Sequence, residues 1–144
     1  MRKLVTLVDL SEHSIEKLVE LATVRTYTEG TVLFSEGKHH DQLYFVVSGS
    51  LRLDMTTSRY GRQTILTVGN GDVLAWSAIL GDGTMTSTAI VTEPSQLIAM
   101  VASELKHQLE LDTLFGYEMM KVIAKALSLR LLATRLQLLD LYHR

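Results

Sequence analysis

The chain has 144 residues, 47% hydrophobic and 21% charged, with a net charge of −2. That length and balance fit one domain with a real core, and the small charge gives no general field for nucleic acid or an anionic membrane. With no cysteine, disulfides, thiolate catalysis and cysteine-ligated zinc or iron–sulfur sites are excluded, and no segment approaches the ~20 apolar residues of a membrane span.

The start, "MRKLVTLVDLSEHS", has too short an apolar run for a signal peptide or anchor, so a cytoplasmic protein is expected. Ile15, Leu18, Val19 and Ala22 recur at helical spacing and predict a helix over about 11–22, with Asp9 or Ser11 as its cap. Residues of about 24–101 read as strands. "TVLF", "LYFVV", "SLRLDM", "QTILTV", "STAIVT" and "QLIAMV" are short and rich in β-branched or aromatic residues. Turns at Gly30, Gly37, Gly49, Gly61 and Gly69–Gly71 separate most of them. Pro94 is placed between two strands, where it removes no ladder bond. The hydroxyl run "TMTST" reads as strand with polar outer positions. Many short strands at even spacing predict a sandwich or barrel-like roll. A helix follows over about 103–109, then a long one over about 113–142. No second-domain linker appears, so residues 1–144 are expected to form one domain.

The long helix carries two apolar stripes. Met120, Ala124, Leu127, Leu131, Thr134, Leu138 and Leu141 alternate in steps of four and three, the spacing of a coiled-coil seam. Val122, Ala126, Leu129, Ala133 and Leu136 form a second stripe. Two apolar faces need two partners: the roll covers one, and the other is expected to meet its copy in a homodimer. The competing arrangement is one helix buried more completely in its own core. Thr134, the polar member of the seam, needs a hydrogen-bond partner. Either its own helix carbonyl or a ligand edge between Arg130 and Arg135 would serve.

The stretches "EGTVLFSEGKHHDQLYFVVSGSLRL", "GDVLAWSAIL" and "TSTAIVTEPSQLIAM" together resemble the cyclic nucleotide-binding domain. This domain occurs in catabolite-activator and anaerobic-regulator transcription factors, kinase regulatory subunits and gated channels. The resemblance covers nearly the whole chain. It implies an α+β fold, a β-roll of the jelly-roll kind with a short N-terminal helix (roll about 24–101, C-terminal helices about 103–142). In that family a phosphate-binding cassette opens a short helix with Gly-Glu and closes with Arg-Ser/Thr-Ala. Here the glycine position is Ala75, the glutamate Trp76 and the arginine Met85, while Thr86 keeps the hydroxyl. Ser77 could offer its hydroxyl and amide to an anion, and Ala78 and Ser87 complete the candidate pocket. On the long helix Thr134 matches the family's purine-edge threonine, Arg135 follows it, and Arg130 matches an arginine near the phosphate in some relatives. Losing the Arg–phosphate and Glu–ribose bonds removes ~3–6 kcal/mol, or about 10²–10⁴ in affinity. The expectation is a stand-alone sensor that binds cyclic AMP or GMP weakly or not at all, with an uncharged or aromatic ligand or an empty pocket. It needs no cofactor and signals through its long helix to a protein partner of unknown identity. The transcription factors continue into a helix-turn-helix, whereas this chain ends at "LQLLDLYHR", so DNA binding is not expected.

Two alternatives stand beside it. One is a ligand-free structural dimer. The other is a cupin-like metal enzyme, since "GKHHDQLYFVVSG" is similar to a cupin metal strand. Adjacent His39 and His40 would point to opposite strand faces, however, which favours a solvated turn. His13, His107 and His143 read as isolated surface residues. Ser77, Thr86 and Ser87 have no sequence-adjacent base, and Glu93 and Glu104 show no acid–base pairing.

Overall fold

The computed structural model describes residues 9–142. The first helix, α1 (Glu12–Leu21), is capped by Ser11, whose side chain accepts from the Ser14 amide at 3.3 Å. Asp9, the other candidate cap, is exposed and lies 4.0 Å from Lys125 Nζ. α1 buries the line Ser14–Leu18. Val19, about 100° further round from Leu18, turns outward, contrary to the expected apolar face. Ala22 already belongs to the next element, β1 (Ala22–Tyr27). That strand carries no legible alternation, because Thr23 to Thr26 are all exposed.

The other strands are β2 (Val32–Phe34), β3 (Gln42–Thr57), β4 (Gly61–Val68), β5 (Val73–Leu74) and β6 (Thr88–Val101). They form an antiparallel sheet ordered β1-β6-β3-β4, with β2 added to β6 and β5 to β3. Four of the expected strands are in fact two. "LYFVV" and "SLRLDM" are continuous through Gly49 as β3, and "STAIVT" and "QLIAMV" are continuous through Pro94 as β6. The two long strands pair from Gln42↔Val101 to Asp54↔Thr88, with register shifts clustered between Val46 and Leu51. Pro94 falls in that irregular stretch, so it removes no ladder bond although it lies inside a strand. Bending both strands at one level rolls the sheet up. "TMTST" is irregular until Thr88, where β6 begins.

Gly49 sits at the bend with φ +102°, and a Cβ there would lie 2.2 Å from Ser95 Oγ and 2.6 Å from Ser95 Cα. Ser95 cannot withdraw cheaply: it accepts from the Ser50 amide at 3.1 Å and donates to the Glu93 carbonyl at 2.7 Å. Gly49→Ala is therefore expected to cost about 3 kcal/mol or more, from overpacking and backbone strain together. Chemical denaturation of the variant beside the wild type checks this.

After the roll come α3 (Ala102–Leu111) and α4 (Thr113–Tyr142), close to the expected spans. One core runs from the roll into the first turns of α4 and includes Phe45, Leu51, Leu97, Leu105, Phe115 and Met119. The body of the molecule covers Phe115, Met119, Val122, Ile123 and Ala126 of α4, with Met120 and Leu127 of the predicted seam packed partly against the same core. Of the second predicted stripe only Val122 and Ala126 are buried. Leu129 and Leu136 project beyond the roll, which is too small to follow the helix. Leu129, Leu131, Leu132, Leu136, Leu138, Leu139 and Leu141 are between 52% and 63% exposed.

Two carboxylates fasten α1 to α4. Glu118 accepts from the Ser11 amide (2.9 Å), Ser11 Oγ (2.5 Å) and Ser14 Oγ (2.8 Å). Asp112 caps α4 by accepting from the Phe115 amide at 3.1 Å, and its second oxygen pairs with His13 Nε2. His13 is thus not isolated; His107 is exposed, and His143 lies outside the described residues. The Ser11 hydroxyl foremost, and then the Ser11 amide and Ser14 hydroxyl, hold the Glu118 pKa below the ordinary glutamate range against the effect of burial. A depressed folded value gives stability that is present above the unfolded pKa and lost as the pH falls through the folded one. The docking of α1 is therefore expected to hold at neutral pH and to loosen only below the ordinary glutamate range. Hydrogen exchange across Ser14–Leu18 reads this directly. Glu118→Gln should remove the Glu118 part of the pH dependence, leaving that of the Asp112–His13 pair, and cost about 1.5–3 kcal/mol at neutral pH.

Candidate functional site

The segment after β4 is held to β3 by reciprocal backbone bonds: Gly71 N–H donates to Val46 O (2.8 Å) and Val46 N–H to Asp72 O (2.9 Å). After β5 comes Ala75 at φ +64°, the only non-glycine among the described residues with positive φ. Trp76 then starts α2 (Ser77–Leu80), whose amides at 78, 79 and 80 donate to the carbonyls of Ala75 and Trp76. The following loop folds back onto this turn. Gly81 and Gly83 donate to Ser77 O, and Ser77 Oγ donates to Thr84 O at 2.9 Å. On its far side the loop joins the 37–40 segment through Gly37 N–H to Met85 O, Met85 N–H to Lys38 O and His40 N–H to Gly83 O.

This packing also places the paired histidines. His39 is exposed and bridges to Thr84. His40 is half-buried, with Nε2 2.7 Å from Tyr44 Oη and its ring stacked on Tyr44 and tilted against Phe34. Burial lowers its pKa against the opposing charge of Asp41. The expectation of a solvated turn is corrected for His40: aromatic neighbours draw the ring inward. Among the described residues no three His, Asp or Glu side chains converge as metal ligands would.

Two cavities lie under the segment. One of ≈ 20 Å³, room for about one water, is lined by Phe34, Leu53, Leu74, Met85 and their neighbours. A larger one of ≈ 150 Å³ opens between Leu53, Ile65, Leu66, Trp76, Thr86, Ser87, Arg130 and Thr134. Arg130 reaches from α4 into the walls of both. Its Nη2 donates to the Val73 carbonyl, while its Nε is enclosed and has no hydrogen-bond partner. Burial pulls the guanidinium pKa down and the charge of Asp72 opposes the shift. Asp72 itself accepts from the Gly69 amide at 2.8 Å.

Residues 24–112 match the family described as the cyclic nucleotide-binding domain. The chain belongs to the cyclic nucleotide-binding domain family. It is 29% identical over 76 residues to the cyclic AMP receptor protein of Thermus thermophilus, covering 53% of this chain and 35% of that protein. The chain thus spans about a third of that curated relative's length. The solved cyclic nucleotide-binding domain from Methylobacillus flagellatus KT is similar at a TM-score of 0.83 and 20% identity, over 92% of this chain and 74% of that one. The Thermus thermophilus catabolite activator protein is similar at a TM-score of 0.72 and 22% identity, over 94% and 62% of the respective chains. These structural likenesses show the shared fold, a β-roll between a short helix and a long one. By name these relatives are a receptor, a binding domain and an activator. Among the described residues no helix is long and apolar enough to cross a membrane.

Within this cyclic nucleotide-binding domain the expected pocket residues line the two cavities, apart from Ala78 and Arg135. Ala75, which the resemblance puts at the glycine position, adopts a glycine-like φ. Met85, which the resemblance puts at the arginine position, is 2% exposed and packs into the core. Ser77, expected to face an anion, has committed its hydroxyl proton to the loop carbonyl of Thr84. Ala78 turns into the core and lines neither cavity, because the inner side of a one-turn helix must pack on β3. Trp76, Thr86, Ser87, Arg130 and Thr134 do come together around the larger cavity. Thr134 gives its proton to its own helix carbonyl at Arg130 (3.0 Å). Arg135 is exposed and lines neither cavity, being about 100° round the helix from Thr134. Sequence reasoning missed Phe34, Leu53, Ile65 and Leu66 as lining. They sit on strands where an apolar side chain facing a cavity is written like one facing the core.

Proposed function

We propose that this chain is a non-enzymatic sensor module of the cyclic nucleotide-binding type whose cassette does not accept cyclic AMP or cyclic GMP. Occupancy of its cavity is read through α4. All 144 residues act as one unit, in the cytoplasm, as a homodimer paired along α4, and the signal passes to a protein partner.

The observation that carries the reading is Met85. Where the family resemblance places the phosphate-pairing arginine there is an uncharged side chain buried in the core. Arg130 comes to the cavity from α4 and not from the cassette, and its Nη2 donates to Val73 O. Trp76 likewise removes the ribose-binding carboxylate. Reading occupancy through α4 is supported by Arg130 and Thr134, which line the larger cavity from that helix. Pairing along α4 is supported by its uncovered leucines.

Calorimetric titration with cyclic AMP and cyclic GMP tests the reading. The expected result is no saturable heat below about millimolar nucleotide, from the ~3–6 kcal/mol of missing charge-assisted bonds. Micromolar binding of either nucleotide would sink it.

A further inference from the structure

The edge of a guanidinium formed by Nε and Nη2 presents two parallel N–H donors, a fork that matches the two oxygens of a carboxylate. In Arg130 the fork is half used: Nη2 donates to a neutral carbonyl, Val73 O, and Nε has no partner although it is enclosed. An unpaired enclosed N–H on a charged group is costly. A single carbonyl cannot satisfy both donors, and a carboxylate can. Thr86 and Ser87 lie in the same cavity wall, and neither hydroxyl has a partner among the described residues.

The rest of the cavity limits what can carry that carboxylate. Leu53, Ile65, Leu66 and Trp76 make its other walls apolar. Its ≈ 150 Å³ is the size of an apolar cavity that holds one aromatic ring. Arg130 is the one cation in the lining, and the nearby Asp72 carboxylate already offsets part of its charge. A single negative charge is matched there and a second is not.

Resting on the reading that the cassette no longer serves cyclic nucleotides, we propose that the cavity binds a single-ring aromatic monocarboxylate, its carboxylate on the Nε–Nη2 edge of Arg130 and its ring beside Trp76. Binding draws Arg130 off the Val73 carbonyl, so it changes a contact between the cassette and α4. This couples occupancy to the helix.

Trp76 is the chain's one tryptophan, so intrinsic fluorescence reports this cavity. The experiment titrates the full chain with benzoate, phenylacetate and 3-phenylpropionate, against phenylacetamide, acetate and cyclic AMP. At least one aromatic acid is expected to give a saturable change. Phenylacetamide, which lacks the charge, and acetate, which lacks the ring, should each be at least about tenfold weaker than the best acid. Arg130→Gln should lose at least about tenfold for that acid, and Arg130→Lys, which keeps charge without the fork, should recover little of it. If Arg130→Gln does not fold, the comparison of acid with amide on the wild type decides. No response to any of the three acids, equal binding of amide and acid, or unchanged affinity in a folded Arg130→Gln variant each overturns the inference and leaves the preceding reading standing. Micromolar cyclic AMP binding would instead overturn that reading and this inference with it.

Discussion

Ala75→Gly, Trp76→Glu and Met85→Arg in one chain are expected to raise affinity for cyclic AMP by about 10² or more, the worth of two restored charge-assisted hydrogen bonds. Without nucleotide the same variant should be less stable than the wild type. Met85 is 2% exposed, and an arginine there brings a charge into the core with no partner to offset its desolvation. Ala75→Gly works the other way, since φ +64° is a conformation that glycine adopts freely. Cyclic AMP should then raise the variant's Tm with the logarithm of its concentration above the Kd, while leaving the wild type's unchanged. Calorimetry and thermal melts of both proteins check the two halves separately. A destabilised variant with no gain in affinity would show that Trp76 is not the obstacle and that Arg130, lodged against β5, still fills the space the phosphate needs.

Leu131→Asp or Leu138→Asp is expected to convert a dimer into a folded monomer. Burying one leucine contributes about 1.5–3 kcal/mol. Symmetry counts it twice in a two-fold pair, so each substitution weakens dimerisation by ~3–6 kcal/mol, or about 10²–10⁴. Both side chains are 52% exposed in the single chain, so the roll itself has nothing to lose and circular dichroism should be unchanged. Sedimentation equilibrium separates the states. A wild type that sediments as a monomer at high concentration contradicts the seam.

The helices were legible because their evidence is periodic. The spacing of Met120 to Leu141 marks an α4 whose span the structure reproduces, and an unbroken run from Tyr117 to Tyr142 leaves no place to end it. The strands were legible as strands and illegible as pairs. Gly49 and Pro94 look like terminators, yet here they are the bend points of two continuous strands, because each strand finds its partner across the bend. β1 and β5 gave no pattern, one because its residues are exposed and the other because it has two residues. At the site, the resemblance pointed to a cassette that departs from the family pattern at Ala75, Trp76 and Met85. It could not show that Ser77 ties down its own loop or that Arg130 reaches Val73, since both are through-space contacts between segments with no sequence signature. His40 was misread for the same reason.

The bent pair of strands also shapes how the molecule forms. Neither half of the roll can close until β3 meets β6, and every rung between them, from Asp54↔Thr88 to Gln42↔Val101, joins residues far apart along the chain. Such pairings demand closure of a long loop before any contact rewards it, so they set a slow step in folding. On a growing chain, β3 must wait through the synthesis of β4, β5 and α2 for its partner. The leucines of α4 are made only after β6. By the time the surface most prone to self-association leaves the ribosome, the strands that anchor its helix have already been made.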